Sequence, residues 1–317
     1  MDKNYDVLCI GGMVCDFLVQ PVPTTLFEHE VARVDSMKTN VGGDAANEST
    51  IMARLGVKVI LGTEAGDDGT GHQLVQYMED NGVDCGNVVF RKEAPTRTNI
   101  VMIREDGERH FVVLSHRSRG FGEKSDLDYD LLKRVKVVSV GSLHIAQALD
   151  ENLADYLKAA KEAGVVTIVD MVTNSRNQSL DDMKEIFKYT DYLAPSEIEA
   201  EELTGKSDPE EMADIILSWG VKNVIIKLGS KGCYCKNEKE SFFMPVFPTD
   251  CVDTTGAGDN YMAGFATAIV NGLGFKQSAN FASAVGAISV QGIGSTTAVQ
   301  SMEQVVDYMK KFDRYEV

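Results

Sequence analysis

Cys251-Val-Asp-Thr-Thr-Gly-Ala-Gly-Asp-Asn-Tyr-Met-Ala-Gly-Phe265 is the stretch on which the reading of this chain turns. Gly256 and Gly258 allow a tight backbone turn, and Tyr261, Met262, Phe265 and Ile269 after it have the apolar spacing of a core-facing helix. The turn therefore sits at a helix N-terminus. Unpaired N–H groups and the positive end of the helix dipole meet there, an arrangement that holds a phosphate and stabilises charge developing on it. Asp259 is the carboxylate placed beside that turn to take a proton, and these are the parts of a phosphoryl-transfer site. An Asp at a helix start also serves as a simple cap, so the turn alone leaves both readings open.

A second stretch, Gly42-Gly43-Asp44-Ala45-Ala46-Asn47, runs directly into a helical pattern closed by Arg54-Leu55-Gly56. The glycine pair lets the backbone approach a polyhydroxylated ligand closely. Asn47, one turn into the helix, can donate to and accept from hydroxyls.

Taken together, the two stretches resemble the C-terminal and N-terminal signatures of the PfkB carbohydrate kinase family, the ribokinase-like kinases. The resemblance runs in order along nearly the whole chain. It implies a ribokinase-like α/β fold, three layers α/β/α with a mostly parallel central sheet, plus a small β-sheet lid over the sugar. It also implies an ATP-dependent phosphotransferase acting on a sugar hydroxyl, with Asp259 as general base, the backbone of Gly256, Ala257 and Gly258 as anion hole, and Mg²⁺ on the nucleotide. Several family members dimerise through the lid, which makes a homodimer the expectation.

The resemblance assigns further residues. Asp16, after Gly11-Gly12, stands where the family has a sugar-binding Asp, while Asp170, Asn174 and Arg176 loosely resemble the D-x-N-x-R arrangement of some sugar kinases. Apart from the resemblance, Arg97 at the base of the hairpin is a candidate ligand contact, with a solvated lid side chain as the other reading. Glu199 in Ala194-Pro-Ser-Glu-Ile-Glu199 matches the acid that supports the Mg²⁺ environment directly or through water, with Ser196 where the family has Asn. Lys227-Leu-Gly-Ser-Lys-Gly232 resembles the nucleotide-side glycine loop, giving Lys227, Gly229 and Gly232 to ATP. Ser283 stands where an adenine-facing Asn is common. Asp253 and Thr255 match positions that help bind a monovalent cation such as K⁺, with the Gly292–Ser295 loop as a source of carbonyl oxygens. Asp44 replaces the Lys of typical ribokinases, so ribose is not the default acceptor.

Composition agrees. The chain has 317 residues, 44% hydrophobic and 25% charged, enough for one large α/β domain spanning 1–317. A formal net charge of −17 argues against nucleic acid or an anionic membrane as partner. Six cysteines lack the paired spacing of a zinc site and read as reduced thiols. The apolar run Val7 to Ile10 is too short for a signal peptide or membrane span, so the expected compartment is the cytoplasm.

Short apolar runs near 6–11, 57–62, 136–141, 165–170, 191–194 and 222–228 alternate with helical patterns near 44–55, 70–81, 151–163, 181–188, 197–204 and 209–219. Helices near 257–271, 276–290 and 301–312 follow. Such alternation means βαβ units and a mostly parallel sheet, with ligands at the carboxyl ends of its strands. Two segments break it, about 14–40 and 96–114, the second a hairpin pattern around Glu105-Asp106-Gly107-Glu108. They form the expected lid, which would exclude water from the reaction.

Other schemes fit worse. No G-x-G-x-x-G follows the first strand, and Gly205-Lys206-Ser207 lacks the earlier glycine of a P-loop. The five histidines show no metal spacing, and of them only His144, at a strand end, is a candidate substrate neighbour. A nucleoside kinase of the same fold is the nearest alternative, with Phe17 and Phe111 as candidate base clamps. A catalytically silent sugar or nucleotide sensor is the alternative from another class.

Overall fold

The apolar runs are rich in Val and Ile and too short for helices, and they become strands buried on both faces, as parallel sheets require. The computed structural model describes residues 4–314 except Gly107 and 115–118. Met1 to Lys3, Gly107 of the expected Asp-Gly turn and His116 therefore lie outside the described residues.

The strands are β1 (Val7–Ile10), β2 (Val14–Gln20), β3 (Ser36–Gly42), β4 (Val59–Gly66), β5 (Asp84–Arg91), β6 (Thr98–Ile103), β7 (Arg109–Val113), β8 (Val137–Leu143), β9 (Val166–Met171), β10 (Tyr192–Leu193), β11 (Asn223–Lys227), β12 (Cys233–Asn237) and β13 (Ser241–Met244). The helices are α1 (Asp44–Arg54), α2 (Gly69–Asp80), α3 (Gln147–Glu162), α4 (Leu180–Phe187), α5 (Glu197–Thr204), α6 (Pro209–Ser218), α7 (Ala257–Val270), α8 (Phe275–Ser289) and α9 (Met302–Lys310). Every expected strand and helix of the alternating pattern is present, with ends shifted by a few residues. Beyond it lie β5, whose mixed polarity hides its period, and the edge hairpin β12–β13.

The large sheet has the order β13-β12-β11-β10-β9-β8-β1-β4-β5. Pairings from β5 to β11 are parallel, and β12 and β13 add an antiparallel edge. One apolar cluster joins Val7, Cys9 and Leu61 to α1, α7 and α8 on one face. The other joins Leu8, Ile10 and Val138 to α3, α4 and α6 on the opposite face, which makes three layers. The strand order reverses at β1, which has β4 on one side and β8 on the other. A crevice opens at such a switch point, outside the carboxyl ends of the strands.

A separate four-stranded sheet, β3-β2-β6-β7, is built from the two segments that break the alternation. Its register aligns Asp16 with Asn40 and Asn99, and Phe17 with Thr39 and Ile100. No helix among the described residues is long and apolar enough to cross a membrane.

Candidate active site

The turn before α7 forms as its glycines demand. Gly256 has φ +72°, and a Cβ there would sit 2.5 Å from the Ser295 Cβ, so both the backbone conformation and the space require glycine. Ala257 begins the helix and Asp259 lies in its first turn. No side chain caps this helix end, and the Ala257 N–H donates to the Thr254 carbonyl at 3.1 Å within the turn. Asn260, buried, donates to the carbonyls of Gly256 (2.8 Å) and Ser295 (2.6 Å), locking the turn to the 292–297 loop.

The glycine pair delivers α1 to the same place. Gly43 has φ +97°, and a Cβ there would meet the Gly12 carbonyl at 2.5 Å, so only glycine lets β3 turn into α1 against the loop after β1. Asp44 then accepts from the backbone N–H of Gly12 (2.5 Å) and of Ala45 (2.7 Å). One turn on, the Asn47 amide donates to Asp259 at 2.6 Å, and its oxygen accepts from the Ser295 hydroxyl at 2.8 Å. The two signature stretches, 212 residues apart at this contact, thus meet side chain to side chain.

The carboxylate of Asp259 is pushed up to about 7. Burial is the leading cause, opposed by the Asn47 hydrogen bond, with the charges of Asp44 and Asp170 raising it further and Lys227 lowering it. A carboxyl poised near neutrality is suited to take a proton from a hydroxyl.

Lys227 and Asp170 form a close buried pair, the ammonium 2.5 and 2.6 Å from the two carboxylate oxygens. Burial, with a smaller push from the Glu199 charge, raises Asp170 to about 6 even against this pairing. The Lys227 ammonium also lies 3.6 Å from where a Gly258 Cβ would stand, which puts a positive charge beside the helix N-terminus. Asp170 is therefore held by Lys227 and not by an open acceptor pocket.

Lys227, Gly229, Gly232 and Ser283, four residues assigned to the nucleotide from sequence, line one cavity of about 500 Å³ together with Ala257 and Gly258. Its far wall is apolar, with Phe247 and Val290, as a purine base needs. Asp16 accepts from the Asn99 amide at 2.9 Å on the small sheet, and burial raises its pKa. Arg97 is half-buried, its guanidinium 3.5 Å from the Ile145 carbonyl, and burial lowers its pKa. Arg176 donates to the same carbonyl at 3.0 Å, while the Asn174 side chain closes its own loop onto Gln178. His144 is buried with φ +70°, and neither ring nitrogen has a hydrogen-bond partner. Gln178 is the polar neighbour that favours its protonated form, against a burial that lowers its pKa.

Glu199 is the third residue of α5 and forms a capping box, its carboxylate accepting from the Ser196 N–H at 2.6 Å. Its charge still reaches Asp170 and Lys227. No cluster of three acidic, His or Cys side chains among the described residues is arranged to hold a metal by itself. One carboxylate with an oxygen to spare fits an ion that arrives with ATP and keeps most of its waters.

Sequence reading missed Glu48, which is fully buried next to Asn47 and accepts from the Ser139 hydroxyl at 2.8 Å. Burial, and then Asp259, push its carboxyl well above the usual range. Its signal was an acid on the apolar face of an otherwise small-residue helix.

This site belongs with a known set of enzymes. The sequence profile of the pfkB family carbohydrate kinases matches residues 4–302. The chain belongs to the pfkB family of carbohydrate kinases. It is 30% identical to a probable chloroplastic fructokinase of Arabidopsis thaliana over 96% of its own length and 82% of the relative's. It is equally similar to fructokinase-1 of Zea mays, over 96% and 98% of the two chains. Among solved structures, the ribokinase of Thermotoga maritima superposes with a TM-score of 0.82 at 26% identity, covering 96% of this chain and 99% of that one. Arabidopsis thaliana ribokinase, complexed with ribose and ATP, gives the same score and identity over 98% and 99%. The pfkB chain has the ribokinase-like fold expected of it, and its reaction is ATP-dependent phosphoryl transfer to a sugar hydroxyl.

Proposed function

We propose that Asp259 is the base that accepts the proton of the attacking sugar hydroxyl, and that the N–H groups of Gly256, Ala257 and Gly258 receive the γ-phosphoryl group as it transfers. The observation that carries this reading is the convergence on one helix end of an uncapped N-terminus, a carboxyl poised at about 7 and the Asn47 amide from the other signature stretch. Such a base contributes about 10²–10⁴-fold. Removing one donor from such a hole typically costs about 10²–10³-fold, so the hole adds a comparable factor.

The acceptor lies between Asp16, the Gly42–Gly43 backbone, Asn47 and Asp259, with Arg97 at its edge. ATP lies in the cavity lined by Lys227, Gly229, Gly232 and Ser283, its phosphates directed at Gly258. Asp170 serves by pinning Lys227 beside the transferring group. Mg²⁺ carried by ATP supplies neutralisation of the phosphate oxygens when bound, with Glu199 holding one of its waters.

Residues 1–317 act as one kinase domain in which the small sheet is a lid. Phe17, Ile100 and Val112 share one row across that lid by register and are 39%, 41% and 51% exposed. That row supports a homodimer through the lid. Six free thiols and dependence on ATP support a cytoplasmic enzyme.

The nucleoside alternative is weaker because Phe17 stands on the lid face opposite to Asp16, while Phe111, paired with Val101, stands on the Asp16 face. Register thus keeps the two rings from clamping a base. Fructose heads the acceptor panel, since plant fructokinases align over nearly the whole chain. Coupled ADP release with Mg-ATP across ketoses, aldoses, sugar acids and nucleosides tests the reading. A sugar should turn over with the highest kcat/KM. A preferred nucleoside, or binding without turnover, would overturn it.

A further inference from the structure

The pair Asp253 and Thr255, which the family resemblance gives to a monovalent cation, already holds a cation of the chain's own. Arg109, the first residue of β7 on the small sheet, reaches across the cleft, and its Nη2 donates to Asp253 at 3.0 Å. Its Nη1 donates to the Thr255 hydroxyl in a second, very short contact. Both oxygens of the Asp253 carboxylate have further partners. One oxygen accepts from the Thr255 N–H (3.0 Å) and hydroxyl (2.7 Å), and the other from the Gly294 N–H (2.9 Å).

Asp253 is nearly buried, its side chain 7% exposed. Burial opposes its charge, yet the Thr255 hydroxyl, the Gly294 and Thr255 N–H groups and Arg109 together hold its carboxyl down at about 2. It is thus an anion at every working pH and needs a compensating cation. Two features of the geometry argue against a metal ion at this carboxylate. Four N–H and O–H donors already face the carboxylate, three of them on one oxygen, and the positive charge that Arg109 brings is a fork whose two arms match a carboxylate and a hydroxyl side by side.

We propose that Arg109 is a tethered replacement for the monovalent cation: it supplies the positive charge at the Asp253–Thr255 turn, frees turnover from any K⁺ requirement, and ties the small sheet to the turn that opens the anion hole. The turn is one residue from Gly256, so whatever fixes Asp253 and Thr255 fixes the direction of the N–H groups at Gly256 to Gly258. This inference rests on reading those groups as the anion hole. It makes Arg109 a positioning residue, since it touches neither ATP nor sugar in that reading.

The test compares wild type, Arg109→Ala and Arg109→Lys with Mg-ATP in buffers whose only monovalent cation is tetramethylammonium, with and without added KCl. Two readouts are taken, initial rate of ADP release and the midpoint of thermal unfolding. Wild type should be indifferent to K⁺ in both. Arg109→Ala should lose about tenfold or more in kcat without K⁺, because a buried carboxylate is left unpaired, and K⁺ or a low concentration of guanidinium should restore most of it. Its midpoint should rise with K⁺ while that of wild type does not. Arg109→Lys should fall between the two. Wild-type activation by K⁺, or an Arg109→Ala protein whose midpoint ignores K⁺ and guanidinium alike, would overturn the proposal. If no acceptor supports turnover, the kinase reading fails separately, and the midpoints still decide whether Arg109 fills a cation site.

Discussion

The two sheets divide the work of this enzyme. Strands β4 and β8 of the large sheet are buried along their whole length, whereas every residue of β7 on the small sheet is exposed. The groups proposed to move the phosphoryl group and the proton, Gly256 to Asp259 and Lys227, stand on elements packed into the large sheet's layers. The small sheet contributes Asp16 and Asn99, and it reaches the chemical end through Arg109. The proposed bond-making groups thus sit on deeply packed elements, and the proposed acceptor contacts on a sheet more open to solvent.

The largest expected effect lies on the rigid side. Asp259→Asn should lower kcat by about 10²–10⁴-fold while sugar and ATP still bind, as equilibrium titration would show. It should also raise the unfolding midpoint at neutral pH. Asp259 has a folded pKa of about 7, above the ordinary 3.8, so its contribution to stability is full below pH 3.8 and is lost as pH rises towards 7. An unchanged midpoint would mean that this carboxyl is not strained by burial. Next, Gly256→Ala should cut kcat by about 10²–10³-fold, because its Cβ would strike Ser295 and tilt the anion hole. A loss confined to the sugar KM would break the division between sheets.

Asp16→Ala should act in the opposite way, weakening kcat/KM for the sugar by about 10- to 100-fold with the KM for ATP unchanged, as loss of charged hydrogen bonds implies. The smallest effect belongs to Asp170→Asn. Asp170 raises the Asp259 carboxyl and Lys227 lowers it, so removing the acid shifts the acidic limb of the rate profile to lower pH. A limb that moves up would show that Lys227 is lost along with its partner.

Much of this was legible in the chain because it is written in local patterns. The α7 turn, the glycine pair before α1 and the short apolar runs of the large sheet each depend on residues within a few positions of one another. What sequence did not disclose are pairings that only the fold creates. Arg109 meets Asp253 across 144 positions, and nothing in Glu-Arg-His-Phe marks it as reaching the site. Lys227 was assigned to the nucleotide and Asp170 to the acceptor, yet parallel strands β9 and β11, with β10 between them, place the two as one ion pair. Glu199 looked like a metal acid and is also half of a capping box, a local pattern that Ser196 at its N-cap announces. The β5 strand stayed hidden because an edge strand half open to solvent has no clean alternation.

The most direct measurement is the pH dependence of kcat/KM for the best sugar, which reports the essential base of the free enzyme. The rate should climb with a single acidic limb near pH 7, set by Asp259, and Asn47→Ala should move that limb upward because the Asn47 amide stabilises the charged form. A profile flat across neutrality, or a limb that Asn47→Ala leaves in place, would contradict Asp259 as the base.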